Sequence, residues 1–207
     1  GIDSVCYTPG GTSLFIRHAA LKDKSGLQVT ELTGGVNLDS TFNHIRLPLL
    51  TLKTPDSNIM LDTDMDFSAF DEQTPGTFRL RLFAQLGKQD IFTLAGPLPQ
   101  KFTEHFPNRP LIIRGSADGN MEHIDLTGIY IDLATALHAT IKGTADHVRD
   151  LSRMKADIQI EAQTKQLNFM TALIDPQMSN TLRIPDGITL GGRLTADSTN
   201  YATDLTL

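Results

Sequence analysis

Leu111-Ile112-Ile113-Arg114-Gly115, a turn at Asp118-Gly119-Asn120, and then Ile124, Leu126, Ile129, Ile131 and Leu133 form the stretch whose reading decides the fold. Apolar residues return at every second position, so a strand built from them has one dry face and one wet face. The segment from Leu111 to Ala162 echoes an earlier one from Leu32 to Phe67. That copy reads Gly34-Gly35-Val36, a turn near Asp39-Ser40, then Ile45, Leu47, Leu49, Leu50 and Leu52. A third, truncated copy begins at Gly191-Gly192 and runs to Asp204-Leu205-Thr206-Leu207. Recurrence at about 80 residues with this alternation predicts a stacked β architecture in which each unit covers its neighbour. The approximate repeats are 13–96, 111–165 and 188–207, in one fragment of a longer repeat protein.

Outward from that stretch the alternation continues. Leu14, Ile16 and His18 oppose Phe15 and Arg17 across a strand from Ser13 to Ala20. From Asn58 to Phe67, Ile59, Leu61, Met65 and Phe67 share one face, and Asp62, Asp64 and Asp66 share the other. Phe78, Leu80, Leu82, Ala84 and Leu86 repeat the pattern, opposed by Arg79, Arg81 and Gln85, so acidic and basic outer faces are expected to meet across the ladder. Ile158, Ile160 and Ala162 alternate against Asp157, Gln159 and Glu161. Such alternation is the antiparallel habit. The turns are polar: Lys22-Asp23-Lys24-Ser25-Gly26, and Thr54-Pro55-Asp56-Ser57-Asn58, where Pro sets φ and the short polar side chains bond their own backbone.

Two stretches break the rhythm. Leu98, Phe102 and Phe106 are spaced i, i+4, i+8 between Pro97 and Pro107, which predicts a short amphipathic helix over 98–106. A second is predicted over 166–174, where Leu167, Phe169, Met170, Leu173 and Ile174 gather before Asp175-Pro176. A single helical turn is expected within Asp146 to Arg153. The predicted class is mainly β: repeated antiparallel strands in a curled, partly open sheet of β-taco or solenoid type, with two short amphipathic helices.

The bulk properties narrow the function. A net charge of −6, with scattered Lys and Arg, argues against nucleic acid and against electrostatic attachment to an anionic membrane surface. Cys6 stands alone, so neither an internal disulfide nor a cysteine metal site is available. No apolar run approaches the ~18 residues of a membrane-spanning helix, and the start at Gly1, with no leader pattern after it, reads as a segment excised from a longer protein. The acidic run from Asp62 to Asp66 begins like a calcium loop. It fails at the sixth position, which is Phe67, and at the twelfth, which is Gln73. His18, His44, His105, His123, His138 and His147 show no metal-ligand spacing, and GxSxG, P-loop and GxGxxG patterns are absent. No catalytic residue, cofactor or metal is therefore expected, and the chain reads as non-enzymatic. With no Trp and 6% aromatics, sugar-stacking platforms are poorly supplied. An apolar sheet face left open suits acyl chains instead.

The run from Leu14 to Leu27, Leu-Phe-Ile-Arg-His-Ala-Ala-Leu-Lys-Asp-Lys-Ser-Gly-Leu, resembles the opening of AsmA-like repeats. The segment from Ile45 to Ile59 resembles the L-x-L-x-T-P-x-S-x-I element of TamB-type proteins of the Bacteroidetes. Ile141 to Leu151 is similar to their G-x-x-x-x-x-x-D-L unit. The resemblance implies a periplasmic segment of a protein anchored in the inner membrane, with a trough that carries phospholipid acyl chains between membranes and a BamA-like outer-membrane barrel as partner through regions outside this chain. On that reading Ile59, Leu61, Leu80, Leu82, Ile129, Ile131, Ile158 and Ile160 line the trough, and Phe102, Phe106 and Phe169 gate or plug it. A ligand-free β spacer or docking module and a carbohydrate-binding or carbohydrate-active β domain are the alternatives.

Overall fold

In the computed structural model the alternating segments become twelve strands, and each pairs antiparallel with the next one along the chain. The structure describes residues 2–24, 26–71, 73–150, 152–174, 185, 187–196 and 201–206. The strands are β1 (Ile2–Thr8), β2 (Gly11–Lys22), β3 (Gln28–Asp39), β4 (His44–Lys53), β5 (Asn58–Asp66), β6 (Phe78–Leu86), β7 (Leu111–Gly119), β8 (His123–Leu133), β9 (Leu137–Asp146), β10 (Lys155–Thr164), β11 (Thr189–Ala196) and β12 (Tyr201–Thr206). β1 and β12 are the two edges, so the sheet is curled but open. The helix stop expected at Asp175-Pro176 and the final residue Leu207 lie outside the described residues.

Strong local constraints bend this single layer. Gly34 and Gly143, each in mid-strand, adopt φ of 141° and 143°. A Cβ on Gly143 would stand 2.0 Å from the Asp157 carbonyl oxygen, and one on Gly34 2.8 Å from Leu50 Cα. Only glycine permits both the dihedral and the approach. In β4 the register slips between Leu47 and Leu50 as it pairs with β5. Pro48 lies in that bulge, where its missing N–H breaks no ladder bond. Leu49, at φ 48°, is turned out into solvent and does not continue the alternation that its sequence suggests. Further slips occur at Arg114/Ser116 and Leu126/Ile129. Bulges of this kind increase local twist and curl.

The strand ends form two rims. One carries the connections 53–58, 86–111, 133–137 and 164–189, and here the helices lie. The helix predicted over 98–106 is the shorter α2 (Gln100–His105), which starts after Pro99. That predicted over 166–174 is a 3₁₀ turn (Asn168–Met170) running into α3 (Thr171–Ile174). Another helix, α1 (Lys88–Ala95), was not anticipated: eight residues give barely two turns of periodicity, too few to read. Between Asp146 and Arg153 the chain makes consecutive turns, with Asp150 N–H bonding His147 O and Arg153 N–H bonding Asp150 O, and not a helical turn. Phe67 leaves the β5 face for a 3₁₀ turn, Phe67–Phe70.

The best-buried apolar cluster sits at this helical rim, with Phe102, Phe106, Leu133, Ala136, Phe169 and Ala172 packed together. The rings of Phe102, Phe106 and Phe169 are 5.4–5.7 Å apart, tilted or edge-on as aromatic quadrupoles prefer. Lys88 ties α1 to this cluster through an Nζ–H bond of 3.0 Å to Phe106 O. A second tie is polar. Asp90 on α1 is buried and accepts hydrogen bonds from the hydroxyls of Thr54 and Ser57 in the β4–β5 turn, while Ser57 Oγ accepts from Gly87 N–H at 2.9 Å.

Truncating Phe102 to Ala should cost about 3–5 kcal/mol of unfolding free energy, and Asp90→Ala about 1–3 kcal/mol by removing the acceptor of the buried Ser57 and half-buried Thr54 hydroxyls, both read from urea midpoints at unchanged slope. Gly143→Ala should destabilise by at least about 1 kcal/mol, although it adds a good packing group. A neutral result would show that the kink at Gly143 does not shape the sheet.

Candidate functional site

Registers locate the eight groove residues predicted from sequence. Leu61 lies opposite Leu82, and Ile59 opposite Ala84, so Leu80 shares their side of the sheet. β6 carries that side onto β7, where Leu82 faces Gly115 and Ala84 faces Ile113. Ile113 faces Ile131, which faces Ala139, and Ile129 faces Ile141. Ile141 then faces Ile160, and Gly143 faces Ile158. Directly opposed residues project to the same face, so all eight line one surface. The surface reaches further in both directions, to Leu52, Leu50, Ile45 and Leu38 on one side and to Leu194 on the other.

This surface is apolar and only half covered. All eight residues are half-buried, and among the described residues no large side chain is fully buried. Every strand among the described residues belongs to one sheet, so this face is covered only by the curl of that sheet and by the helical rim. Alanines and glycines alternate with the branched residues along it: Ala84, Gly115, Ala117, Ala139, Gly143 and Ala162. Small residues opposite large ones keep the inside of a tight curl from overfilling. Phe102, Phe106 and Phe169 close one rim and are 5–6% exposed. They pack against one another and against Leu133.

The reverse face is wet and charged. Register sets Asp62 opposite Arg81 and Asp64 opposite Arg79, as alternation implied. Of the two acids opposite it Arg79 pairs with Asp118 on β7 at 3.0 Å, Lys53 pairs with Glu31 directly across the ladder at 3.1 Å, and Arg193 reaches diagonally to Asp157. Exposed pairs like these add little stability each and mainly mark register. A hollow of about 570 Å³ opens on this side over Gly128 and Gly143, lined by Asp118, Asp125, Lys142, Thr144, Asp157 and Gln159. Two of its three carboxylates are already spent on Arg79 and Arg193, and it holds no nucleophile–base arrangement.

The rim opposite the helices carries histidine–carboxylate contacts that sequence spacing did not reveal. His44 bonds Asp66 through Nδ1 at 2.7 Å and lies 2.8 Å from Asp64 through Nε2. His123 bonds Asp146 at 2.5 Å and stands 3.4 Å from Asp125. His147 meets Glu122 at 2.5 Å. Apart from His123 and Asp125, which are neighbours on β8, these contacts join residues twenty or more positions apart, which is why no HxH-type pattern announces them. The bond to Asp66 raises the His44 pKa above its ordinary 6.5, and the bond to Asp146 does the same for His123. Asp66 is lowered by the Thr77 backbone N–H and by His44, and Asp150 is drawn down to about 2 by Ser152 and Arg153. No residue set at this rim, or elsewhere among the described residues, groups three or more His, Cys, Asp or Glu as a metal cage. No described helix is long and apolar enough to cross a membrane.

No family model, curated protein or solved structure matches the chain.

The pKa directions define a pH profile. Histidines raised in the folded state stabilise it fully below pH 6.5, and that contribution fades as pH rises through their folded values. Lowered carboxylates stabilise above pH 3.8 and lose their effect as pH falls. Melting temperature should therefore peak between about pH 4 and pH 6.5 and decline toward pH 8.5. The double variant His44→Gln, His123→Gln should flatten the alkaline side of that curve in a thermal-melt series. An unchanged slope would mean these bonds do not outlast solvent screening.

Proposed function

We propose that this chain is a non-enzymatic, periplasmic segment of an AsmA/TamB-like cell-envelope protein, contributing an apolar surface on which phospholipid acyl chains are shielded during transfer or outer-membrane biogenesis. One observation carries the reading: a continuous apolar face runs from β3 to β11, half-exposed, on a single curled sheet with no second sheet among the described residues. A globular β protein of this size ordinarily hides such a face against a second sheet or a helix layer. Leaving it open wastes about 25 cal/mol per Å² of apolar contact, a penalty that an acyl chain lying along it removes at roughly 0.8 kcal/mol per methylene. The branched, ring-poor lining suits flexible chains better than flat sugars or nucleobases.

The mechanism is passive. Chains slide on a surface without directional bonds, so residence rests on area alone, and no proton or metal participates. The sequence resemblance supplies the rest of the proposal: an inner-membrane anchor on the parent protein and a BamA-like barrel as partner, both through regions outside this chain.

Delipidated protein should take up a fluorescent fatty acid such as cis-parinaric acid, and organic extracts of natively purified protein should contain phospholipid by mass spectrometry. Leu82→Asp with Ile131→Asp should lower uptake about ten-fold or more, whereas Arg81→Ser on the wet face should not. Absence of both extracted lipid and probe uptake would remove the proposal.

A further inference from the structure

Six of the ten phenylalanines fall into two opposite groups at the two rims. At the helical rim Phe102, Phe106 and Phe169 are 5–6% exposed, whereas at the other rim Phe42, Phe67 and Phe70 are 57%, 49% and 48% exposed. The exposed three sit on neighbouring turns, since the Phe67 N–H bonds Asn43 O at 2.8 Å. Tyr7, 79% exposed, lies at the same rim one hairpin away, because it faces Thr12, which in turn faces Leu38.

These side chains are presented by rigid turns. Phe42 is held at φ 55°, a region that bulky residues rarely occupy. Asp39 locks that conformation: its carboxylate accepts from the N–H groups of Asn43 (2.7 Å) and His44 (2.9 Å) and from the Thr41 hydroxyl. The Phe67–Phe70 turn is pinned by Ala69, which has no exposed surface, and by Phe70 stacking on Phe78 at 6.3 Å. Phe78 belongs to the apolar face, opposite Met65 and Gly119. The exposed aromatics are therefore continuous with that face at the rim the helices leave uncovered.

We propose that this rim, built on Phe42, Phe67 and Phe70, docks on a zwitterionic phospholipid bilayer surface and is the lip over which acyl chains pass onto the apolar face. The inference rests on the acyl-chain reading above. Exposed rings on fixed turns are suited to the interfacial zone, where apolar bodies are buried among headgroups. Charge selects the surface. The carboxylates of Asp39, Asp64, Asp66 and Asp71 flank the rings, and the neighbouring Arg46 and His44 are both engaged with Asp64. That fringe repels an anionic surface and complements the outward ammonium groups of phosphatidylcholine or phosphatidylethanolamine.

The test is flotation of the full chain with phosphatidylcholine vesicles and with vesicles rich in phosphatidylglycerol. Binding is expected to the first and several-fold weaker binding to the second. The triple variant Phe42→Ser, Phe67→Ser, Phe70→Ser should bind phosphatidylcholine about ten-fold or more weakly. Phe42→Asn, whose side chain tolerates the left-handed backbone, keeps the turn and decides the matter if the triple variant melts early; it should weaken binding several-fold. Uptake of cis-parinaric acid from water should survive in both variants, since the apolar face is intact. No binding to phosphatidylcholine, binding untouched by the substitutions, or a preference for phosphatidylglycerol overturns the proposal. So does a dimer that the substitutions dissolve, which would make the patch a contact between copies. Vesicle binding that persists while probe uptake fails in the unaltered chain would leave the rim standing and remove the acyl-chain surface.

Discussion

A single curled sheet has to satisfy its backbone and its apolar face by different means, and that constraint organises this molecule. The ladder between sequence neighbours satisfies the backbone, strand after strand, without any long crossover. Among the described residues the apolar face has no second sheet to pack on, so the curl of its own sheet has to cover it. Glycines at φ near 140°, the Pro48 bulge and the slips in β7–β9 provide that bending. The residues on the face remain half-buried as a result, neither a solid core nor an ordinary surface.

The packed cluster and the long apolar face are thereby separated in space. The packed aromatic cluster, the Lys88 bond to Phe106 and the Asp90 clamp lie together at the helical rim. The long face contributes through ladder bonds and curvature while its side chains keep free area. A protein organised this way can offer apolar surface without unfolding, because removing water from that surface is not what holds the strands in register. The acyl-chain proposal depends on this division, and so does the lipid-docking rim, where the cluster's residue type reappears without its packing.

The charged side follows its own logic. Carboxylates and bases alternate on the wet face, and register offers Arg79 two acids, Asp64 on one side and Asp118 on the other, of which it takes Asp118. At the rim opposite the helices, histidines join one turn to the next through Asp64, Asp66, Asp146 and Glu122. The contacts of His44 and His123, whose pKa values the carboxylates raise, make their turn edges sensitive to pH.

The strands and the side to which each residue points were legible in the amino-acid order alone, because a period of two is a local property of the pleat. Ile59, Leu61, Leu80, Leu82, Ile129, Ile131, Ile158 and Ile160 could be named as one surface for that reason. Helices of four to eight residues were partly illegible: α1 was missed and α2 overdrawn, since two turns hold too little periodicity and tertiary contacts with Phe92, Phe102 and Phe106 decide them. Leu49 was set on the wrong side because a bulge inserts a residue that alternation cannot foresee. Which phenylalanines are buried and which stand in water, and which carboxylate each histidine finds, only the tertiary structure decided. Those outcomes depend on distances between turns some twenty or more residues apart, fixed by the curl of the whole sheet and not by any neighbour in sequence.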